Sequence, residues 1–481
     1  MADNPMLKFV TEGQSYPSKR AADQRAADFR EIADRYAVPE AEDQASRCSQ
    51  CGVPYCSVHC PLHNHIPDWL RLTAEGRLRE AYELSNSTST MPEICGRICP
   101  QDRLCEGNCV IEFSGHGAVT IGSVEKFITD TAWAEGWVEP VAVGPARGQS
   151  VAVIGAGPAG LTAAELLRGH GYEVHVYDRH DRAGGLLTYG IPGFKLEKPV
   201  VMRRVDRLKE AGIVFHEGFS VGEDATLEEL RGRHDGVLIA TGVYKARQVE
   251  VAGNDASGVI AALDFLTASN RKGFGDAVPE FDSGALDASG KDVIVIGGGD
   301  TAMDCVRTAI RQGARSVKCL YRRDRANMPG SQREVANAEE EGAEFVWLSA
   351  PLGFEGEGGA VRSVRASRMR LGAPDASGRR APEVDPGGEL ALDADLVIKA
   401  LGFDAEDLPT LWGAPELGVS RWGTVLVDGK TLMTSLDGVF AAGDIVRGAS
   451  LVVWAIRDGR DVAASMHQWL KAKARAERVA A

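Results

Sequence analysis

From residue 149 onward, short apolar runs alternate with Ala- and Leu-rich stretches in which apolar positions recur every third or fourth residue. The runs suit buried strands and the stretches suit helices, so the alternation predicts βαβ units on a parallel sheet covered on both faces. Ahead of Val143-Gly144-Pro145 the texture differs. Residues 20–36 interleave Arg, Ala, Asp and Glu at helical spacing, which predicts a solvated amphipathic helix open to a partner. A second helix is predicted to start at Pro67, proline being favoured at the first helical position, and to run through Trp69, Leu70, Leu72 and Leu78 to about Leu84. Residues 86–90 read as a polar loop and residues 121–134 as a further helix. Residues 353–388 are rich in Gly, Arg, Ser and Pro, interrupted by alternating polar and apolar positions at 361–371, which predicts a hairpin excursion with a solvent-exposed loop. No repeat of solenoid period is present.

A length of 481 residues at roughly 150 per domain predicts about three domains. Lys and Arg number 54 against 68 Asp and Glu, a net charge of −14, so the surface repels polyphosphate and no nucleic-acid partner is expected. No apolar run approaches the ~18 residues of a membrane span. Residues 1–20 carry Lys8, Lys19 and Arg20 but no apolar leader core, which predicts a cytoplasmic protein. In that reducing compartment the ten cysteines are expected to be thiols, metal ligands or catalytic groups rather than disulfides.

Eight of the ten fall between residues 48 and 109, as Cys48-x2-Cys51-x4-Cys56-x3-Cys60-Pro61 and Cys95-x3-Cys99-Pro100-x5-Cys105-x3-Cys109. Thiolates suit zinc or iron-sulfur clusters. Zinc sites pair two short hooks across a spacer, whereas a crowded cysteine run ending before proline resembles the cubane pattern of bacterial ferredoxins with one spacing lengthened. The reading is therefore two 4Fe-4S clusters, with His59, His63 and His65 outside the ligand set. In two-cluster ferredoxins the cysteine before proline serves the other cluster. By that logic Cys48, Cys51 and Cys56 join Cys109, while Cys60 joins Cys99 and Cys105, with either Cys95 or Glu125 as fourth ligand. With few short helices and long cysteine-bearing loops, this part is predicted to need its clusters in order to fold. Cys305 and Cys319, far downstream, are expected to be small buried hydrophobes.

One supersecondary unit occurs twice. Strand Val151-Ala-Val-Ile leads into Gly155-Ala-Gly157-Pro158-Ala159-Gly160, a helix and the strand Glu173-Val-His-Val-Tyr-Asp178. Here Gly157 lets the backbone approach a pyrophosphate, Gly160 lets helix pack on strand, and Asp178 stands where a ribose hydroxyl would donate. This copy suits the adenosine half of FAD. The second runs through Gly297-Gly-Gly299-Asp300-Thr301-Ala302 to a strand ending in Arg322-Arg323. Arginines in place of the acid can clamp a 2′-phosphate, which predicts NADPH over NADH unless the pair is only a solvated strand end. Two further strands end in small-residue turns, Thr241-Gly242 and Gly443-Asp444, the latter with a carboxylate that suits a ribityl hydroxyl. The helix starting near Leu451 would aim its positive end at a reduced flavin.

These residues, with Gly184-Gly185-Leu186-Leu187, Tyr189-Gly190-Ile191-Pro192, Met328-Pro329-Gly330-Ser331 and Ala400-Leu401-Gly402-Phe403, resemble the small (β) subunits of NADPH-dependent glutamate synthases over nearly the whole chain. The resemblance extends to the N-terminal half of dihydropyrimidine dehydrogenase and to the large subunit of NADH-dependent ferredoxin:NADP oxidoreductase. It implies an α/β fold of two nested glutathione-reductase-like Rossmann domains preceded by an α-helical iron-sulfur domain. The expected divisions are 1–147 for the clusters, 148–255 with 400–481 for FAD, and 256–399 for NADPH. It also implies FAD held by Gly155, Gly157, Gly160, Asp178 and Asp444, with Gly185, Leu186 and Gly402 at the cofactors. Electrons would pass from NADPH through FAD and two clusters to a large FMN-containing subunit that makes glutamate from glutamine and 2-oxoglutarate. An electron-transfer subunit of a ferredoxin:NADP transhydrogenase is the alternative. The CxxxxC redox disulfide of glutathione-reductase-type enzymes is missing, Gly184 to Tyr189 standing in its place, so disulfide reduction is not expected.

Overall fold

A computed structural model describes residues 6–375 and 380–480. The N-terminal unit is built on helix Ile121–Ala134, which carries the buried Val124, Phe127 and Ile128. Helices Val38–Ser46, Ile66–Ala74 and Leu78–Thr88 pack against it. Trp69, Leu70 and Tyr82 complete a core larger than the sequence led us to expect.

Three local expectations are corrected. Residues 20–36 are not one helix: only Ala22–Arg25 is helical, and Lys19 bridges Ala33 instead. Arg25, expected in solvent, is buried and ion-paired with Glu340 and Glu341 of a distant helix, a destination that periodicity cannot reveal. The helix from Pro67 to Leu84 is two helices. At Gly76 (φ +71°) the chain turns left-handed, and the Arg77 N–H closes on the Leu72 carbonyl at 2.8 Å, a glycine-terminated helix end. The polar loop at 86–90 is instead helical to Thr88. Ser89 and Thr90 are buried, and the Thr90 hydroxyl meets that of Thr162 at 2.8 Å.

Two parallel five-stranded sheets follow. The first has the order Val439–Ala441, Gly236–Ile239, Ser150–Ile154, Glu173–Asp178, Val214–Glu217. The second has the order Val259–Ala261, Leu396–Lys399, Asp292–Ile296, Ser316–Tyr321, Glu344–Trp347. The second is inserted within the first, joined through the antiparallel pair Lys245–Ala246 and Phe403–Asp404. The expected hairpin excursion has three strands, not two: Ser349–Glu357, Ala360–Pro374 and Arg380–Asp393. Its alternation arises because Phe354, Val361, Val364 and Ala366 cover Ile294, Leu320 and Val397 of the second sheet. The tip of its expected loop, 376–379, lies outside the described residues.

The N-terminal unit and the first sheet share a core. Leu62, Met91 and Ile94 pack with Val153, Leu161 and Val453. Glu93 and Arg204, both buried, form a bidentate pair at 2.8 Å across the junction. Among the described residues no helix is long and apolar enough to cross a membrane.

Candidate functional site

At the first turn, a Cβ on Gly160 would lie 1.9 Å from the Gly155 carbonyl oxygen, and one on Gly155 2.4 Å from that of Ala240. Strand, turn and helix Pro158–Gly169 therefore close up only because side chains are absent. Gly157 differs: nothing lies within 4 Å of its Cβ position, which leaves its backbone open to a ligand. Asp178 ends its strand with one carboxylate oxygen accepting from the Ala156 N–H at 2.7 Å and the other from the His180 N–H at 2.8 Å. It thus also braces the turn. Gly155, Asp178 and Thr241 line one cavity together with Tyr177, Tyr244 and Trp412. Those aromatic walls were not anticipated, because Tyr177 comes from a strand while Tyr244 and Trp412 come from segments far along the chain, without a shared motif. Gly185 sits where a Cβ would be 2.9 Å from Gly157 Cα, and Gly443 where it would be 3.0 Å from Ala159 Cβ. The Gly185-Leu186 and Gly443-Asp444 segments therefore flank the turn. Burial pushes the Asp444 carboxyl up to about 6.

The second turn repeats the geometry, a Cβ on Gly297 meeting the Ala400 carbonyl oxygen at 2.2 Å while Gly299 faces open space. Asp300 and Thr301 open the helix Asp300–Arg311, with Ala302 buried beneath. At the end of strand Ser316–Tyr321, Arg322 is exposed and Arg323 is half-buried. The Arg323 Nε is buried without a hydrogen-bond partner.

The cysteines form two constellations. Cys48 and Cys56 lie close enough to Cys109, and Cys48 to Cys51, for their charges to interact. Cys60, Cys95, Cys99 and Cys105 surround a second small cavity with Glu125, capped by Leu62, Trp69 and Val453. Burial pushes Cys48 and Cys60 up to about 11 and Cys56 to about 12. A hydrogen bond to Cys95, with burial, holds Cys99 well above the ordinary thiol range, and burial does the same to Cys105. Crowded buried thiols of this kind become thiolates when a metal centre supplies the opposing charge. Among the described residues no three His, Cys, Asp or Glu side chains converge closely enough for a single metal ion. A ring of thiols around a cavity fits an inorganic cubane, and Gln50 already aims its side-chain N–H at Cys48 Sγ at 3.3 Å. His59, His63 and His65 are exposed. Glu125 accepts from Asn64 at 3.2 Å and Ser85 at 3.3 Å, and burial pushes it up to about 8. Cys305 and Cys319 lie fully buried in the core of the second sheet.

Residues 25–137 match the family model of dihydropyrimidine dehydrogenase domain II, 4Fe-4S cluster. Residues 149–459 match that of pyridine nucleotide-disulphide oxidoreductases. The chain is 65% identical, over 99% of its length and 98% of the relative's, to the glutamate synthase [NADPH] small chain of Azospirillum brasilense. It is 46% identical, over 97% and 99%, to that of Escherichia coli. Among solved structures, Mycobacterium tuberculosis FprA in complex with NADPH matches 69% of this chain and 86% of its own, with a TM-score of 0.56 at 21% identity, a likeness of fold alone. Nested nucleotide turns, a cysteine-rich helical unit and these relatives together place the chain in the family of NADPH-dependent glutamate synthase small chains, which are pyridine nucleotide-linked oxidoreductases.

Proposed function

We propose that the chain takes reducing equivalents from NADPH at the second turn, collects them on FAD at the first, and delivers them through two 4Fe-4S clusters to a large FMN-containing glutamate synthase subunit in the cytoplasm. FAD supplies the conversion of a hydride into single electrons, and the clusters supply their conduction. Gly155, Gly157 and Gly160 with Asp178 hold the FAD, while Gly299, Arg322 and Arg323 hold NADPH. Cys60, Cys99 and Cys105 with Cys95 or Glu125 form the inner ligand set, and Cys48, Cys51, Cys56 and Cys109 the outer.

The observation that carries this reading is the shared core: Leu62 and Val453 belong to the core of the first sheet and also cap the inner cysteine cavity. They tie the cysteine cavity to the apolar core of the first sheet. The outer set instead lies beside exposed apolar side chains, Val53 (61% exposed), Tyr55 (50%), Val58 (53%) and Phe113 (74%). That face suits the acceptor subunit. Anaerobic NADPH titration should bleach a flavin band, and the protein should release two cubanes' worth of iron and sulfide. A chain free of iron and flavin sinks the proposal. Phe113→Asp is expected to weaken binding of the large subunit about tenfold in a pull-down titration, while NADPH-driven reduction of ferricyanide stays at its original rate.

A further inference from the structure

Asp300 is the first residue of the helix Asp300–Arg311, the end at which unpaired N–H groups draw a diphosphate. A carboxylate there opposes the same anion. The compensation comes from another part of the chain. Arg103, in the loop between Cys99 and Cys105, donates from Nη2 to Asp300 Oδ2 at 3.2 Å and from Nη1 to the Pro329 carbonyl oxygen at 2.5 Å. The loop is seated as a unit. The Ser331 hydroxyl donates to Asp102 at 3.3 Å, the Ser331 N–H donates to the other Asp300 oxygen at 2.9 Å, and Arg333 reaches back to Glu106 at 2.6 Å. The Arg103 and Asp300 side chains remain 43% and 38% exposed, so the cation is open to a further anion.

We infer that Arg103 is a nucleotide-positioning residue lent by the cysteine-bearing unit: it cancels the charge of Asp300 and presents a cation to the diphosphate of NADPH. NADPH binding thereby bears directly on the loop that holds Cys99 and Cys105. The inference rests on NADPH occupying the second turn.

The test is NADP+ binding to the full-length protein by calorimetry, with flavin and iron content as controls of folding. Arg103→Ala is expected to weaken NADP+ about fivefold, the scale of a partly exposed ionic contact. Arg103→Gln, which keeps a donor for Pro329 but drops the charge, should lose as much. Adding Asp300→Asn to either variant should recover most of the loss, a rescue that a merely structural role for Arg103 would not produce. Unchanged NADP+ affinity in both Arg103 variants, or no recovery on adding Asp300→Asn, overturns the inference. Failure of the unaltered protein to bind NADP+ overturns the nucleotide assignment itself and the inference with it.

Discussion

Cys99→Ser should leave NADPH able to bleach the flavin while electron delivery to the large subunit falls by at least about a hundredfold, since loss of one ligand costs a metal site most of its occupancy. Cys99 lies in the inner cavity with Cys60, Cys95 and Cys105, and Cys60 and Cys99 pack against the core of the first sheet, so on the proposed route the inner group is the relay next to the flavin unit. The two arms separate cleanly. Rapid-mixing absorbance follows flavin reduction, and low-temperature electron paramagnetic resonance of the reduced protein follows each cluster. Cys109→Ser should erase the signal that Cys48→Ser erases and spare the one that Cys99→Ser erases, because Cys109 keeps company with Cys48 and Cys56 despite following Cys105 in sequence. If Cys109→Ser and Cys99→Ser remove the same signal, the crossed grouping is wrong.

The second large effect concerns nucleotide choice. Arg322→Ala with Arg323→Ala should lower kcat/KM for NADPH by about a hundredfold and leave NADH within about twofold. Each charge-assisted contact to a phosphate is worth about 1.5–3 kcal/mol, and about 1.4 kcal/mol is a factor of ten. Losing both therefore removes at least two decades, and NADH lacks the group they would hold. Steady-state kinetics with both nucleotides decides the matter, and an equal fall for NADPH and NADH would refute the 2′-phosphate role.

The parts of the site legible in the sequence are those whose chemistry is local. Gly160 must be glycine because of a contact made within one strand–turn–helix unit, against the Gly155 carbonyl oxygen, and the spacing of Gly155, Gly157 and Gly160 around that unit announces the turn. The same locality holds for Asp178, which closes its own strand. The aromatic walls Tyr177, Tyr244 and Trp412 were not legible, since their meeting joins a strand to two segments far apart in the chain. Arg25 was misplaced for a related reason. An arginine in a polar stretch reads as solvated, yet Arg25 is buried against Glu340 and Glu341, and nothing near residue 25 encodes that partnership. Gly76 lay in plain view within an otherwise helical pattern, and its left-handed turn divides that pattern in two.

Taken by itself, the order of residues determined the two parallel-sheet units, the positions of both nucleotide turns and the thiol-rich character of the first part of the chain. Each of these follows from backbone sterics and hydrogen bonding over a few neighbouring residues. Only the tertiary structure decided that Val453 from the last helix roofs the inner cysteine cavity and that Arg103 reaches across to Asp300. Those contacts join residues tens to hundreds of positions apart. They exist because burying the shared apolar face of the helical unit and the first sheet fixes where the intervening loops come to rest.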